Sequence, residues 1–181
     1  MPTDVDLLGN LEEEIRIRTM ARRRNLFAPL DERQALVWRA HAIDGLALDA
    51  VASVLGMPLA ECMVTYTAAR QAIYEMVRSD DHVPSVLGRP LLTEGRVHSL
   101  LTGDMCAGRR PRAGELRCTL WVRWAIGGQD PGDVLRQQRG AKRRTIKLGE
   151  EAWGIIRDAQ RVLREAVGPS SVAQALRERA A

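Results

Sequence analysis

The stretch that decides the fold of this chain is GAKRRTIKLGEEAW, residues 140–153. In RTIKL, residues 144–148, polar and apolar side chains alternate, whereas most other segments have apolar residues at helical spacing. Alternation of this kind is typical of a β-strand. The sequence therefore predicts one short strand in a protein that is otherwise mainly α-helical.

Two helices are predicted after this strand. Gly149 is the expected N-cap of the first, and Glu150 and Glu151 lie in its first turn, where the helix dipole favours carboxylates. Gly168 ends this helix, and Ser170 is the expected N-cap of the second. The apolar face of the first helix consists of Trp153, Ile156, Ala159, Leu163 and Ala166.

A single short strand has no partner within its own chain, and a two-stranded ribbon needs helices packed beneath it. The expected partner is the same strand of a second chain, paired antiparallel across a two-fold axis. Such a homodimer would direct Arg143, Thr145 and Lys147 outward as a ribbon that a major groove can admit. Its core would contain Ile146, Leu148, Trp153 and Ile156.

Residues 142–181 resemble the ribbon-helix-helix family of repressors that includes Arc and MetJ. The resemblance lies in RRTIKLGEEAW, in the apolar face that follows, and in GPSS before the last helix. It implies that the three outward side chains contact DNA bases, and that other residues contact phosphates: Ser170, Ser171, Lys142 and Arg144. The alternative is an ordinary strand on an α+β domain.

A second pattern occupies residues 30–77. Asp31 can cap a helix that Gly45 ends, LDAVASVL follows as a short helix up to Gly56, and Pro58 begins a long helix. Helix, short helix, tight turn and long helix is the order of a helix-turn-helix. The stretch resembles the promoter-reading helix-turn-helix domain of bacterial sigma factors, at Leu30, Arg33, Gly45, Leu46, Val51, Ala52, Leu55, Gly56, Ala69, Arg70 and Ala72.

The long helix departs from that family in the side chains it would expose. Near its start it carries Glu61, Met63 and Val64, which lack the donors that meet phosphates and bases. We therefore expect a surface for a protein partner rather than for DNA. A plain three-helix core is the alternative.

The sequence divides into four segments. We expect a helical domain over residues 1–77, a linker over 78–90, a basic helical segment over 91–140 and the ribbon-helix-helix domain over 141–181. Within the third segment, the order helix, Gly-Gly, short helix resembles residues 33–55. Either a degenerate repeat or a common helical pattern explains this similarity.

Positive charge is concentrated in one block. Residues 1–100 carry 11 Arg and 14 acids, residues 101–147 carry 9 Arg, 2 Lys and 4 acids, and residues 148–181 carry 5 Arg and 5 acids. The net charges are therefore −3, +7 and zero. A basic block that ends at Lys147 favours a polyanionic partner, double-stranded DNA before a membrane. A solvated arginine-rich surface is the alternative.

Other function classes have less support in the sequence. Its 3 cysteines lack CxxC spacing and its 3 histidines are scattered, so neither a metal site nor a cofactor is expected. No nucleophile, carboxylate pair or phosphate-binding glycine loop stands out, which argues against an enzyme. We expect a cytoplasmic, nucleoid-associated protein without a signal peptide or a membrane span.

These observations predict a bacterial homodimeric transcription regulator that reads DNA with its ribbon. Its helix-turn-helix module would contact a partner such as RNA polymerase. Two alternatives stay open: an accessory DNA-binding protein of a mobile element, acting in partition or in the relaxosome, and an adaptor or anti-activator that does not bind DNA.

Overall fold

A computed structural model of the chain describes residues 24–79, 90–103, 111–141 and 145–181. The described residues form eight α-helices. Among the same residues, β-type backbone pairing is limited to an isolated antiparallel bridge between Asn25 and Thr93. The prediction of a mainly helical fold is confirmed. The helices are α1 Glu32–Trp38, which continues into a π-helical turn Arg39–Ile43, α2 Leu48–Leu55, α3 Leu59–Arg78, α4 Glu94–Thr102, α5 Pro111–Ala125, α6 Pro131–Gln138, α7 Ile146–Val167 and α8 Ser171–Ala180.

Side-chain caps fix several helix starts, as local sequence predicts. Asp31 caps α1 in a capping box, in which Gln34 N donates to Asp31 Oδ1 at 2.7 Å and Asp31 N donates to Gln34 Oε1 at 3.1 Å. Asp130 caps α6, with Pro131 in the first helical position. Ser170 caps α8. The predicted caps Asp31 and Ser170 are confirmed.

The first three helices form one unit, which we call the N-terminal unit. Gly56, with φ of 64°, ends α2, and the axes of α2 and α3 bend by 108° at their junction. Both α1 and α2 pack against α3. This is the arrangement of a helix-turn-helix, in which a short helix and a longer one meet at a steep angle.

The helices α5, α6 and α7 repeat that order, and we call them the C-terminal unit. The second helix of each unit, α2 or α6, has 8 residues, and the third, α3 or α7, has 20 or 22. Both α5 and α6 pack against α7. The repeat that the sequence left open is therefore present in the helix order and packing.

The two units contact each other through equivalent residues. Trp38 Nε1 donates to the carbonyl of Ala125 at 3.1 Å, and Trp121 Nε1 donates to the carbonyl of Ala42 at 2.9 Å. Each C-terminal member lies 83 positions after its counterpart, since 38 corresponds to 121 and 42 to 125. The two indole rings meet edge to face with centroids 6.1 Å apart. A reciprocal contact of this kind is the signature of a two-fold relation, here within one chain.

Glycines at the first turn of each unit follow the same relation. Gly45 and Gly128, again 83 positions apart, have φ of 76° and 69°. A Cβ atom on Gly45 would meet Gln160 of α7, and one on Gly128 would meet Arg70 of α3. In each unit this glycine therefore lets the long helix of the other unit approach.

The buried side chains of both units join one hydrophobic cluster. Hydrogen bonds also join the N-terminal unit to the C-terminal unit. Gln160 Nε2 donates to the carbonyl of His41 at 3.1 Å, and Arg39 Nη2 donates to the carbonyl of Gly168 at 3.1 Å. The division into four segments stays a prediction. Most of the proposed linker, residues 80–89, lies outside the described residues.

The predicted strand is the main correction. Ile146, Lys147 and Leu148 form the first turn of α7, and Thr145 rather than Gly149 is its N-cap. Three residues of the expected ribbon, 142–144, lie outside the described residues. The alternation was too short to distinguish a strand from a helix start, since Leu148 packs against the core from the first helical turn.

Candidate nucleic-acid interface

The start of α7 is an exposed, capped helix N-terminus. Thr145 has extended backbone angles, and its hydroxyl accepts a hydrogen bond from Leu148 N at 3.2 Å. Capping of this kind satisfies a backbone donor that the helix itself cannot pair. The cap therefore fixes where α7 begins and which side chains its first turn presents.

Two side chains of this turn face solvent. The Ile146 side chain is 85% exposed, and Lys147 is also exposed. Glycines at 149 and 154 have open space where a Cβ atom would lie. The first two turns of α7 thus combine one exposed cation, one exposed apolar side chain and the exposed carboxylate of Glu150 with a backbone that another molecule can approach closely.

Contacts with the rest of the C-terminal unit hold this surface in place. Arg139, just after α6, forms a two-pronged ion pair with Glu151 of α7, with Nη1 to Oε2 at 2.8 Å. Trp153 packs edge to face on Trp124, with ring centroids 5.6 Å apart. Together with Leu148, these contacts tie α7 to both α5 and α6 on its first turns.

The predicted site residues divide into three groups. Thr145 and Lys147 lie together at the start of α7, whereas the expected contacts Lys142, Arg143 and Arg144 lie outside the described residues. Ser170 is only 1% exposed, its hydroxyl accepts from Ala173 N at 3.1 Å, and its own N–H donates to Asp44 Oδ2. This hydroxyl is therefore committed to its helix and turned away from solvent, whereas Ser171 is exposed.

The residues expected in a dimer core have different environments. Ile156 is fully buried inside its own chain. Leu148 is half-buried, and Trp153 is 38% exposed. Ile146 projects into solvent. These four side chains do not form one face, because a helix at 146–148 rotates them to different sides.

The corresponding helix of the N-terminal unit presents a different surface. Leu59, Met63 and Val64 are exposed near the start of α3, Val64 to 69%. The nearby carboxylate of Glu61 pairs with Arg33 at 2.7 Å. Met63 and Val64 are therefore exposed at this end of α3, and its role as a surface for a protein partner stays a prediction.

Charge separates the two units at equivalent positions. The 17 residues 131–147, from the start of α6 into α7, contain six cations and one acid. The 17 residues 48–64, from the start of α2 into α3, contain no cation and two acids. By sequence, the segment from the short helix into the long one thus has a net charge of +5 in the C-terminal unit and −2 in the N-terminal unit, and three of the six cations, at 142–144, lie outside the described residues.

Buried titratable groups elsewhere are suited to packing. Burial raises the pKa of Cys118 to about 11 and that of Tyr66 to about 12, so both remain protonated at neutral pH. Cys62 and Cys118 are free and buried, while Cys106 lies outside the described residues. Within those residues no three His, Cys, Asp or Glu side chains lie close enough to hold a metal ion.

Across the described ranges, no single helix is both long and apolar enough to cross a membrane. The helices α2 and α3 reach the required length and hydropathy only when taken together, across their 108° bend.

Comparison with profiles of protein families, with curated protein sequences and with solved structures found no match to this chain. The resemblances to sigma factors and to ribbon-helix-helix repressors stay predictions.

Sequence reasoning did not establish that the three-helix unit occurs twice, a repeat that it left open. Its signal was present in the 83-residue spacing that relates Trp38 to Trp121, Ile43 to Ile126 and Val51 to Val134. It also missed Thr145 as a cap, although threonine is a preferred N-cap residue.

Proposed function

We propose that this protein is a sequence-specific DNA-binding regulator of transcription that reads the major groove with its C-terminal unit. One observation carries the proposal: two units share a scaffold, and only the C-terminal one has cations where its short and long helices meet. A helix-turn-helix places the first residues of its long helix against base edges. In this chain those residues are Thr145, Ile146 and Lys147.

The chemistry of these side chains supports base reading. The ammonium group of Lys147 can donate to guanine O6 and N7, and Ile146 can contact a thymine methyl group. Arg143 lies two positions before Thr145 in sequence and is a further candidate for base contact, while Lys142 and Arg144 are candidates for phosphate contact. The α6–α7 junction then replaces the β-ribbon as the reading element of the proposal.

The N-terminal unit supplies the second half of the proposal. Leu59, Met63 and Val64 are exposed, and the neighbouring cation Arg33 is paired with Glu61. An apolar surface of this kind suits a protein partner, such as RNA polymerase, better than a polyanion.

The expectation of a homodimer rested on a β-strand that included residues 146–148. These residues are helical, so the expectation no longer has that support. Within one chain, the two units already pair through Trp38 and Trp121. We therefore propose that one chain suffices to bind one DNA site. Light scattering at micromolar concentration tests this, and a stable dimer that dissociates with Ile146→Asp would restore the ribbon.

The experiment for DNA binding compares two variants with the same loss of charge. A preferred duplex is first selected from a random library with the full chain. Lys147→Gln removes a cation at the proposed interface, and Arg33→Gln removes an exposed cation of the N-terminal unit. We expect Lys147→Gln to weaken binding about tenfold on the selected duplex, and to make the plot of log affinity against log salt shallower by about 1.

Arg33→Gln should leave both the affinity and the salt dependence close to those of the parent protein. Equal losses from the two variants would assign the effect to overall charge. Absence of binding to the library at low salt would favour the adaptor alternative.

A further inference from the structure

Arg70, in the middle of α3, is a half-buried arginine whose hydrogen-bond donors are unused. Among the described residues it forms neither a hydrogen bond nor an ion pair, and its nitrogen atoms are open to solvent. Every other half-buried arginine of the described ranges has a hydrogen-bond or ion-pair partner: Arg24, Arg39, Arg117, Arg123, Arg136 and Arg164. Since a guanidinium carries five N–H donors, Arg70 can bind an acceptor that the chain itself does not supply.

The guanidinium of Arg70 lies against the C-terminal unit. A Cβ atom on Gly128 would overlap the Nη1 and Cζ atoms of Arg70. Gly128 itself is exposed, and its φ of 69° is one that glycine adopts without strain. The positive charge of α3 is therefore held at the surface where the two units meet.

The equivalent contact in the other direction shows that the fold does not require a cation here. Gln160 of α7 meets Gly45 as Arg70 meets Gly128. Gln160 is buried, and its amide donates to the carbonyl of His41 at 3.1 Å. Arg70 makes no corresponding bond to a described carbonyl of the C-terminal unit. A neutral amide thus suffices for packing on the glycine, and packing does not explain the charge of Arg70.

No acid on the same face of α3 neutralises this charge. The side chains three or four positions from Arg70 are all uncharged at neutral pH: Tyr66, Thr67, Ile73 and Tyr74. Burial raises the pKa of Tyr66 to about 12, so its hydroxyl does not become an anion there. In the C-terminal unit the acid nearest to Gly128 in sequence is Asp130, whose carboxylate accepts from Asp133 N at 3.1 Å as the cap of α6.

Arg70 also lies next to the start of α6. Gly128 comes three residues before Pro131, the first residue of this helix. With 8 residues, α6 is about 12 Å long, and the major groove is also about 12 Å wide. In a helix-turn-helix the helix before the reading helix crosses the DNA backbone. With the α6–α7 junction in the groove, the start of α6 and Arg70 beside it would lie near the phosphates at the groove edge.

We propose that Arg70 donates to a backbone phosphate at the edge of the groove that the C-terminal unit reads. This inference rests on the proposed function. It assigns the N-terminal unit a DNA contact of its own, about two helical turns after the exposed side chains of Met63 and Val64. Because phosphates carry no sequence information, Arg70 adds affinity and no discrimination between sequences.

The test measures fluorescence anisotropy with the full chain, on the selected duplex and on a scrambled duplex of the same length. Arg70→Gln should weaken binding about three- to tenfold on both duplexes alike, and should make the plot of log affinity against log salt shallower by about 1. Arg70→Lys keeps the charge and should keep the slope. Arg78→Gln removes an exposed cation from the end of the same helix, where it donates to the Tyr74 hydroxyl, and should leave binding unchanged.

Neutral methylphosphonates, placed one at a time along the selected duplex, locate the contact. One substitution should weaken binding by the parent protein and leave binding by Arg70→Gln unchanged, because the two changes remove the same interaction. Equal sensitivity of the two proteins at every position would overturn the proposal. A larger loss on the selected duplex than on the scrambled one would place Arg70 at a base edge and would also overturn it.

Urea unfolding distinguishes a DNA contact from a structural role. The unfolding midpoint of Arg70→Gln should match that of the parent protein, since no hydrogen bond is lost, and a lower midpoint that accompanies the loss of affinity would overturn the proposal. If Lys147→Gln weakens binding and Arg70→Gln does not, the proposal for Arg70 fails while the proposed function stands. If the full chain binds neither duplex at low salt, the two fail together.

Discussion

The N-terminal unit and the C-terminal unit differ almost entirely in what they expose. Inside, they place Trp38 and Trp121 in equivalent positions, and the indole of each donates to the other unit. On the exposed surface, Lys147 lies in the first turn of one long helix, within a basic segment, whereas Val64 lies near the start of the other, within an apolar segment. Buried residues thus preserve the arrangement of helices, and exposed residues at one helix end are free to determine the partner.

Replacing the paired tryptophans should have the largest effect. Trp38→Phe and Trp121→Phe each shrink a fully buried ring and leave the carbonyl of Ala125 or Ala42 without its donor. Each change should lower the free energy of unfolding by about 2–3 kcal/mol. Urea unfolding followed by circular dichroism measures this. If one variant is destabilised and the other is not, the two units are not equivalent at their shared interface.

The paired glycines should show a smaller and unequal effect. An alanine at Gly45 or Gly128 adopts a positive φ, at a cost of about 1 kcal/mol in either unit. The new Cβ at 45 also meets Gln160, which is buried and bonded to the carbonyl of His41. The one at 128 meets the guanidinium of Arg70, at the far end of a flexible side chain.

We therefore expect Gly45→Ala to cost about 2 kcal/mol and Gly128→Ala about 1 kcal/mol, in the same unfolding measurement. The opposite order would mean that Arg70 is held in place more firmly than Gln160.

The smallest effect is expected from a proline at the start of the C-terminal long helix. Ile146 is the first residue of α7, and Thr145 before it has φ of −119° and ψ of 157°, which a following proline tolerates. Ile146→Pro should change the free energy of unfolding by less than about 0.5 kcal/mol. A paired β-strand would lose a ladder hydrogen bond at this position, so strong destabilisation would favour the ribbon.

Local chemistry explains which parts of the fold could be predicted. Asp31, Asp130 and Ser170 specify helix starts within three residues of themselves, so their helices follow from the sequence alone. The local sequence around Ile146 does not specify its secondary structure in this way, because five alternating residues fit a β-strand as well as a capped first helical turn. Packing of Leu148 on the distant core decides between them.

The candidate interface was predictable only in part. Lys147 and Thr145 were expected to be exposed and are, but they lie on a helix rather than on a ribbon.

Because the two units joined by the reciprocal tryptophan contact belong to one chain, their pairing does not depend on protein concentration. Two separate chains joined by such a contact would dissociate at low copy number, whereas units in one chain meet at a fixed effective concentration. A symmetric pair of identical chains must also change both surfaces at once, since one gene encodes them. Covalent fusion removes both constraints, so Val64 and Lys147 can diverge in opposite directions while the interface between Trp38 and Trp121 is kept.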